Sequence, residues 1–138
     1  MKIALLVAIF ALLSLTLEAK EAPKIEKKTN ISAQDKGRVA IKKFARVTKY
    51  RWTGKKMANG LFPEPGYVAV SDRSIKLGSL IWIKFERYIV GDYTALWVHD
   101  KSKSEGYDFT VDIYTEESND EALNFGVEEH KIALLKKQ

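Results

Sequence analysis

The amino-acid sequence predicts a mainly β fold, a small barrel with one short helix, preceded by a signal peptide and a basic linker. From residue 39 onward the chain consists of short runs rich in β-branched and aromatic residues, separated by Gly, Pro, Asp or Ser. These runs recur about every 8 to 20 residues, a spacing typical of small barrels. One helix-start pattern interrupts them near Ser118. The first 38 residues differ in composition from the rest of the chain: an apolar segment comes first, and a basic segment follows it.

The first element is a predicted secretory signal peptide at residues 1–19. Lys2 precedes an apolar run from Ile3 to Leu17, and Ala19 supplies a small residue where a signal peptidase cuts. The run is shorter than the roughly 20 residues that cross a hydrocarbon core. We therefore expect an exported protein, located in the periplasm, the cell envelope or the extracellular space, with an uncleaved signal anchor as the alternative.

Residues 20–38 form the predicted basic linker. The segment has low hydrophobicity, high charge and no sustained period, which is typical of solvated chain. Residues 20–56 carry a net charge of +10, whereas residues 57–138 carry −5. Two interpretations of this basic arm stay open: a plain spacer, or attraction to an anionic wall polymer or membrane surface. Export and the acidic body argue against a nucleic-acid partner.

Cysteine and histidine usage limits the possible chemistry. The chain has no cysteine, so it forms no disulfide and no thiolate metal site. Its two histidines, His99 and His130, lie far apart in sequence without a second cluster of metal-ligand residues. We therefore predict no metal site and no cofactor.

The remaining residues, 39–138, are predicted to form one barrel domain. Its strand-like runs are VAIKKFARVTKYRW, YVAVS, SLIWIKF, YTALWVH, FTVDIY and HKIALL. Apolar and polar residues alternate in several of them, as expected for half-buried strands. The helix begins at Ser118, which forms a capping-box pattern with Glu121. Phe125 would face the core, and Gly126 would end the helix.

Three aspartates lie in or beside these runs. Asp72 follows YVAV and Ser71, and Asp100 follows YTALWVH, so a turn in which the side chain bonds its own backbone is a sufficient explanation for each. Asp112 lies inside FTVDIY, where aspartate has poor strand propensity and a buried carboxylate needs a partner. Alternation places Asp112 on the face of Thr110, so it points either to solvent or into a site.

Several short motifs follow one another in a fixed order between residues 47 and 136. They are Val47, Thr48 and Tyr50; Gly66 before Val68 to Asp72; Leu77 and Gly78; Asp100; Asp112, Ile113 and Tyr114; and Glu121, Ala122, Phe125 and Gly126. This ordered set resembles the three-aspartate (3D) domain family, shared with membrane-bound lytic transglycosylase A and with wall-remodelling proteins of spore-forming bacteria. The resemblance implies a six-stranded double-psi β-barrel that cleaves the glycan strands of peptidoglycan without water.

The resemblance also implies a role for each aspartate. Asp112 would be the single general acid and base, which protonates the glycosidic oxygen and then removes a proton from the muramyl C6 hydroxyl to form a 1,6-anhydro end. Asp100 would be the second carboxylate of the site, and Asp72 would complete the site or brace its loop. A pair of carboxylates holding a water is unnecessary, unlike in ordinary glycosidases.

Aromatic and amide side chains are the predicted contacts to the glycan. Tyr50, Trp52 and Asn59 lie where the family's first strand and following loop approach the site, so they are predicted substrate-binding residues. Trp97 and Tyr114 are candidate walls of an apolar pocket that would keep the catalytic acid protonated. The alternative for these two aromatics is an ordinary place in the core.

The chain departs from the family pattern around the second aspartate. The family has a glycine-rich stretch after that residue, whereas this chain has Lys101 to Gly106, and the spacing of 12 from Asp100 to Asp112 is one longer than usual. The run FERYIVGDY before Asp100 looks like an enlarged hairpin. A non-catalytic cell-wall-binding or accessory module on the same barrel is therefore the alternative function, since a fold alone does not establish an activity.

Overall fold

The computed structural model describes residues 39–138; the predicted signal peptide and basic linker lie outside this range. The described chain forms a closed barrel of six strands with two short helices. The strands are β1 (Ile41–Tyr50), β2 (Tyr67–Val70), β3 (Leu80–Ile83), β4 (Glu86–Tyr93), β5 (Phe109–Tyr114) and β6 (Glu128–Leu135). The helices are α1 (Leu96–Ser104) and α2 (Asn119–Phe125). The prediction of a mainly β, six-stranded barrel is confirmed.

The strands follow one another around the barrel in the order β1, β5, β2, β4, β3, β6. Two neighbouring pairs are parallel, β1 with β5 and β2 with β4, and the other four pairs are antiparallel. The chain between β1 and β2 and the chain containing α1, between β4 and β5, each join strands that are separated by one other strand in the barrel. Both connections therefore pass over the outside of the barrel, where they border a cleft.

The core fills the inside of the barrel because successive side chains of a strand point to opposite faces. In β5, Phe109, Val111 and Ile113 point inward, whereas Asp112 lies on the outer face. The inward residues of the other strands complete a single apolar cluster: Ala45, Val47, Val68, Val70, Ile81, Ile83, Val90, Ile132 and Leu134.

The prediction of one helix is wrong, because the run YTALWVH is not a strand. Tyr93 ends β4, and the residues from Leu96 to Ser104 form α1. The strand is instead the run that was predicted as an enlarged hairpin. Tyr, Thr, Trp and Val favour strands, but tertiary contacts override this preference. Ser102 in α1 is fully buried, and its hydroxyl lies 2.6 Å from that of Thr110 in β5.

The second helix, α2, begins and ends as predicted. The Ser118 hydroxyl accepts a hydrogen bond from the Glu121 amide, and the Glu121 carboxylate accepts one from the Ser118 amide, which completes the capping box. Gly126 follows with a positive φ of 61°, and Phe125 packs against the core. Within residues 39–138, no helix is both long and apolar enough to cross a bilayer.

A bulge in β4 sets the direction of the end of that strand. Val68 pairs with Val90 and Ala69 pairs with Asp92, so Gly91 is the extra residue. A Cβ at Gly91 would lie 2.7 Å from Tyr67 Cδ1 and 2.9 Å from Met57 Sδ. Only glycine fits here, and the bulge shifts the pairing by one position so that Asp92 lies beside Ala69.

Candidate functional site

An open cleft of about 410 Å³ lies on the outer face of the barrel. It is bordered by β1, β5, β2 and the end of β4, with Thr53 on one side and the start of α1 on the other. Hydroxyl side chains line much of it: Thr48, Tyr50, Thr53, Tyr93, Thr94 and Thr110. Two carboxylates, Asp92 and Asp112, and one guanidinium, Arg46, add charge. The cleft therefore combines these polar groups with apolar surface, and Trp97 is its large exposed aromatic.

Asp112 is at the floor of this cleft because of the strand register. It pairs with Thr48 of β1 on one side and with Ala69 of β2 on the other. The Thr48 hydroxyl donates a hydrogen bond of 2.8 Å to Asp112 Oδ1. Within residues 39–138 no other hydrogen bond reaches this carboxylate, so Oδ2 is available to a ligand.

Burial raises the pKa of the Asp112 carboxyl above its ordinary value. The hydrogen bond from Thr48 and the positive charge of Arg46 act in the opposite direction, but their combined effect is smaller. Desolvation favours the neutral acid because a charge loses its hydration there. Asp112 therefore has the property expected of a general acid, a carboxyl that holds its proton more firmly than one in water.

Tyr50 forms part of the same floor. Its hydroxyl is buried and has no hydrogen-bond partner among the described residues. Burial raises its pKa strongly, and the nearby charges of Asp92 and Asp112 add to the effect. The ring packs edge-on against Tyr114, with 5.5 Å between centroids. The phenol is thus a neutral donor close to both carboxylates.

Asp92 is a cleft residue that the sequence prediction missed. Its Oδ1 accepts hydrogen bonds from the backbone amides of Ala58, at 3.0 Å, and Tyr93, at 2.8 Å. The carboxylate thereby ties the loop after β1 to the end of β4. The signal in the sequence was the run from Tyr88 to Tyr93, which is apolar except for Gly91 and Asp92.

The other two predicted aspartates do not line the cleft. Asp100 is exposed on α1, not at a strand end as predicted. Asp72 accepts a hydrogen bond of 2.9 Å from the Ser74 amide, the turn arrangement that was its simpler explanation. Burial alone would raise the pKa of Asp72, but the bonds from Ser74 and the charge of His99 lower it. The second carboxylate of the cleft is Asp92.

The predicted substrate-binding residues are divided between the cleft and its surroundings. Tyr50 and Trp97 line the cleft. Trp52 lies outside the lining and contacts Phe62, with 5.5 Å between ring centroids. Asn59 is used within its own loop, where its side chain accepts a bond from the Leu61 amide. Tyr114 is buried behind the floor.

A hydrogen-bond network behind the cleft holds α1 against the barrel. The Ser71 hydroxyl accepts a bond from the Thr110 amide at 2.9 Å and lies 3.3 Å from His99 Nδ1. The Ser102 hydroxyl donates to the Val98 carbonyl and meets the hydroxyl of Thr110. Because Trp97 and Val98 line the cleft, this network fixes one of its walls.

In residues 39–138 no group of three or more His, Cys, Asp or Glu side chains is arranged to hold a metal ion. A second cleft, of about 400 Å³, lies at one end of the barrel. Apolar side chains such as Phe125 line it together with Lys49, Lys84 and an adjacent pair, Glu128 and His130. None of the predicted site residues lines this cleft.

Comparison of the chain with models of protein families, with curated proteins and with solved structures found no match.

Proposed function

We propose that the protein is a lytic transglycosylase that cleaves peptidoglycan glycan strands, with Asp112 as the single general acid and base. The observation that carries the proposal is the environment of Asp112: one carboxyl at the floor of an open, hydroxyl-lined cleft, with its pKa raised by burial. A carboxyl of this kind suits a reaction that first needs an acid and then a base.

In the proposed reaction the protonated Asp112 donates its proton to the glycosidic oxygen, and the bond from that oxygen to the muramyl C1 breaks. The resulting carboxylate then removes the proton from the C6 hydroxyl, whose oxygen bonds to C1 and closes the 1,6-anhydro ring. Asp112 gives one proton in the first step and receives one in the second, so no second catalytic carboxylate is required. The hydrogen bond from Thr48 to Oδ1 leaves Oδ2 to face the sugar.

The neighbouring groups take supporting roles in this proposal. The exposed indole of Trp97 offers an apolar surface to a sugar ring, and the Tyr50 phenol offers a hydrogen-bond donor. Asp92, rather than Asp100, is the second carboxylate, and it holds the loop that borders the cleft. Asp72 acts outside the cleft, in the turn after β2.

The proposal includes a double-psi arrangement of the barrel and export of the protein. Support for the first comes from the two parallel strand pairs within a closed, six-stranded mixed barrel. Support for export comes from the signal-peptide pattern of residues 1–19. Export would bring the cleft to its substrate in the cell envelope.

The second candidate function is a non-catalytic module that binds cell-wall glycan. It is favoured by the position of Asp100, the predicted second carboxylate of the active site, which lies outside the cleft. A binder would use the exposed Trp97 and the hydroxyl groups without any proton transfer.

Digestion of purified peptidoglycan by the full chain tests the proposal. We expect fragments with 1,6-anhydromuramyl ends, each one water lighter than the hydrolysed form in mass spectrometry. The Asp112→Asn variant should lower the rate by about 100- to 10,000-fold, the usual contribution of a general acid–base group. Asp100→Asn is the matched control, because it removes an exposed carboxylate outside the cleft.

The outcomes separate the two functions. Anhydro products that disappear with Asp112→Asn and persist with Asp100→Asn support the transglycosylase. Sedimentation of the protein with the wall, without released fragments from either form, supports the binding module. Equal activity of the Asp112 variant and the unchanged chain would rule out the assigned acid.

A further inference from the structure

The loop between β1 and β2 carries a compact surface that combines apolar and cationic side chains. Three large apolar residues, Trp52, Leu61 and Phe62, are 51%, 54% and 58% exposed. Arg51, Lys55 and Lys56 are exposed in the same loop, and residues 51–62 contain no acidic residue. These six side chains are called the loop surface below.

The apolar and cationic groups are neighbours in space. The rings of Trp52 and Phe62 are tilted against each other with 5.5 Å between centroids. Lys56 Nζ lies 5.2 Å from the centroid of Phe62. Within residues 39–138, neither Lys55 nor Lys56 forms an ion pair, so both charges are available to a partner.

A buried side chain and several hydrogen bonds hold the loop in one conformation. Met57 is only 4% exposed, and its amide donates to the Leu61 carbonyl at 2.8 Å. The Asn59 amide donates to the Gly91 carbonyl, and the Ala58 amide donates to Asp92. The exposed apolar residues are therefore presented in a fixed arrangement, which lowers the entropic cost of binding.

The cations of the loop surface contrast with the rest of the barrel domain. Residues 57–138 carry a net charge of −5, whereas residues 39–56, which form β1 and the start of the loop, contain seven Lys or Arg and no acidic residue. A large anionic surface would thus be attracted to this part of the barrel domain. Aromatic and basic side chains side by side match the boundary of a bilayer, where rings enter the headgroup layer and cations meet phosphates.

We propose that the loop surface binds the surface of a membrane that contains anionic phospholipid. Trp52, Leu61 and Phe62 enter the headgroup region, and Lys55 and Lys56 contact lipid phosphates, whereas the Arg51 guanidinium already donates to Asn119 Oδ1 at 2.6 Å. Stacking on a sugar is a poorer fit, because a sugar needs an open ring face. Lys56 and Trp52 both lie against the Phe62 ring, and Leu61 has no ring at all.

Membrane docking through this surface would also place the cleft. Thr53 of the same loop lines the cleft, and the exposed Leu96 and Trp97 lie at its other side, at the start of α1. The Thr53 side of the cleft would then lie beside the bilayer, and Trp97 on the other side would stay available to a sugar. This inference does not depend on the proposed reaction, since it rests on the loop alone.

Hydrogen exchange measured by mass spectrometry on the full chain tests the proposal. The probes are vesicles of phosphatidylcholine alone and vesicles of an equal mixture of phosphatidylcholine and phosphatidylglycerol. We expect the mixed vesicles, but not the neutral ones, to slow exchange in residues 51–62. Peptide resolution separates this effect from any attachment through residues 1–38, which is common to all variants.

Two variants and two controls sharpen the test. Lys55→Gln/Lys56→Gln should reduce the protection by up to about 25-fold, because each lysine near an anionic surface contributes about fivefold. Trp52→Ser/Phe62→Ser should abolish it. Lys101→Gln/Lys103→Gln removes the same charge from the far end of α1, and Phe85→Ser removes an exposed aromatic at the β3–β4 turn. Both controls should keep the protection.

Three results would overturn the proposal. The first is vesicle-induced protection confined to residues 1–38. The second is equal loss of protection in the loop variants and the controls. The third is protection of residues 51–62 by soluble peptidoglycan fragments but not by mixed vesicles, which would assign the loop surface to sugar. Peptidoglycan cleavage by the same preparations reports on the proposed reaction independently.

Discussion

At the scale of single residues, the surroundings of Asp112 and Asp72 push their carboxyl groups in opposite directions. Asp112 has one hydrogen bond, from Thr48, against substantial burial, and its pKa rises. For Asp72 burial is the largest single influence, but the bonds from Ser74 together with the charges of His99 and Lys136 outweigh it, and its pKa falls. Residue type is the same, so the difference comes from the count of donors and the access of water.

We expect Asp112→Asn to stabilise the fold at neutral pH. Because the pKa of Asp112 is higher in the folded state, its ionised form costs stability above that pKa, and the cost vanishes below the unfolded value of about 3.9. The asparagine can still accept the Thr48 bond. Urea unfolding at neutral pH should show a gain of about 0.5–2 kcal/mol, and the gain should shrink at acid pH. A constant gain at every pH would contradict the assignment.

Asp72→Asn is the matched comparison, and we expect it to change the stability of the fold in the opposite direction. The depressed pKa of Asp72 means that its carboxylate stabilises the fold above the unfolded pKa, and this contribution is lost as pH falls through the folded pKa. The variant should therefore be less stable than the unchanged chain at neutral pH and equal to it in acid. The same urea titrations at both pH values measure the difference.

Gly91 is a second residue whose role follows from its surroundings. We expect Gly91→Ala to destabilise the fold by about 1–3 kcal/mol, because the new methyl would overlap the Tyr67 ring and the Met57 sulfur. Thermal or urea unfolding measures the cost. In a Met57→Ala background one of the two contacts is absent, so the cost of Gly91→Ala should be smaller. Equal costs in both backgrounds would show that the Met57 contact does not matter.

At the scale of helices and strands, the two helices differ in how far local sequence determines them. The start of α2 is specified by two side chains that are three positions apart in sequence, since Ser118 and Glu121 cap each other. Helix α1 begins after Ala95 without a side-chain cap. It is held by contacts from elsewhere in the fold, such as Ser102 against Thr110. Local patterns could therefore predict α2 but not α1.

Ser118→Ala tests the local character of α2. Loss of the cap should destabilise the fold by about 0.5–2 kcal/mol, whereas Ser118→Asp should stay close to the unchanged chain, because aspartate is also a good N-cap. Urea unfolding of the three proteins gives the comparison. If both variants lost stability equally, the serine would matter through something other than capping.

The same distinction explains what the sequence could and could not predict about the strands and the site. Strong alternation identified β5, and with it the outer-face position of Asp112. The assignment of β4 failed because Gly91 interrupts the run, and the bulge that explains this glycine exists only when β4 pairs with β2. Asp92 enters the cleft through that same pairing. The prediction that Asp100 belongs to the site depends on a preceding run that resembles a strand, but these residues form α1.

At the scale of the whole molecule, the barrel depends on closure by the last strand. Strand β6 pairs with β1 on one side and with β3 on the other. It also supplies the buried side chains Ile132, Leu134 and Leu135. The first and last described strands are therefore neighbours, and the ring of hydrogen bonds is completed only when the C-terminal part of the chain is present. Pairings between distant parts of a sequence also make folding slow.

Ending the chain at Val127 should consequently abolish cooperative folding. Without β6, the edges of β1 and β3 lose their partners, and exposed strand edges promote aggregation. Removal of three buried aliphatic side chains costs as much as the total stability of a typical domain, since each truncation to alanine alone costs about 2–5 kcal/mol. Near-ultraviolet circular dichroism during urea titration should show no sigmoidal transition for the truncated chain.

Two control variants are made in the full chain. Ile132→Ala should keep a transition at lower urea concentration, and Lys131→Ala, an exposed neighbour, should leave the transition nearly unchanged. A sigmoidal transition in the truncated chain would mean that five strands suffice to form the core. Closure of the barrel by β6 would then not be required for cooperative folding.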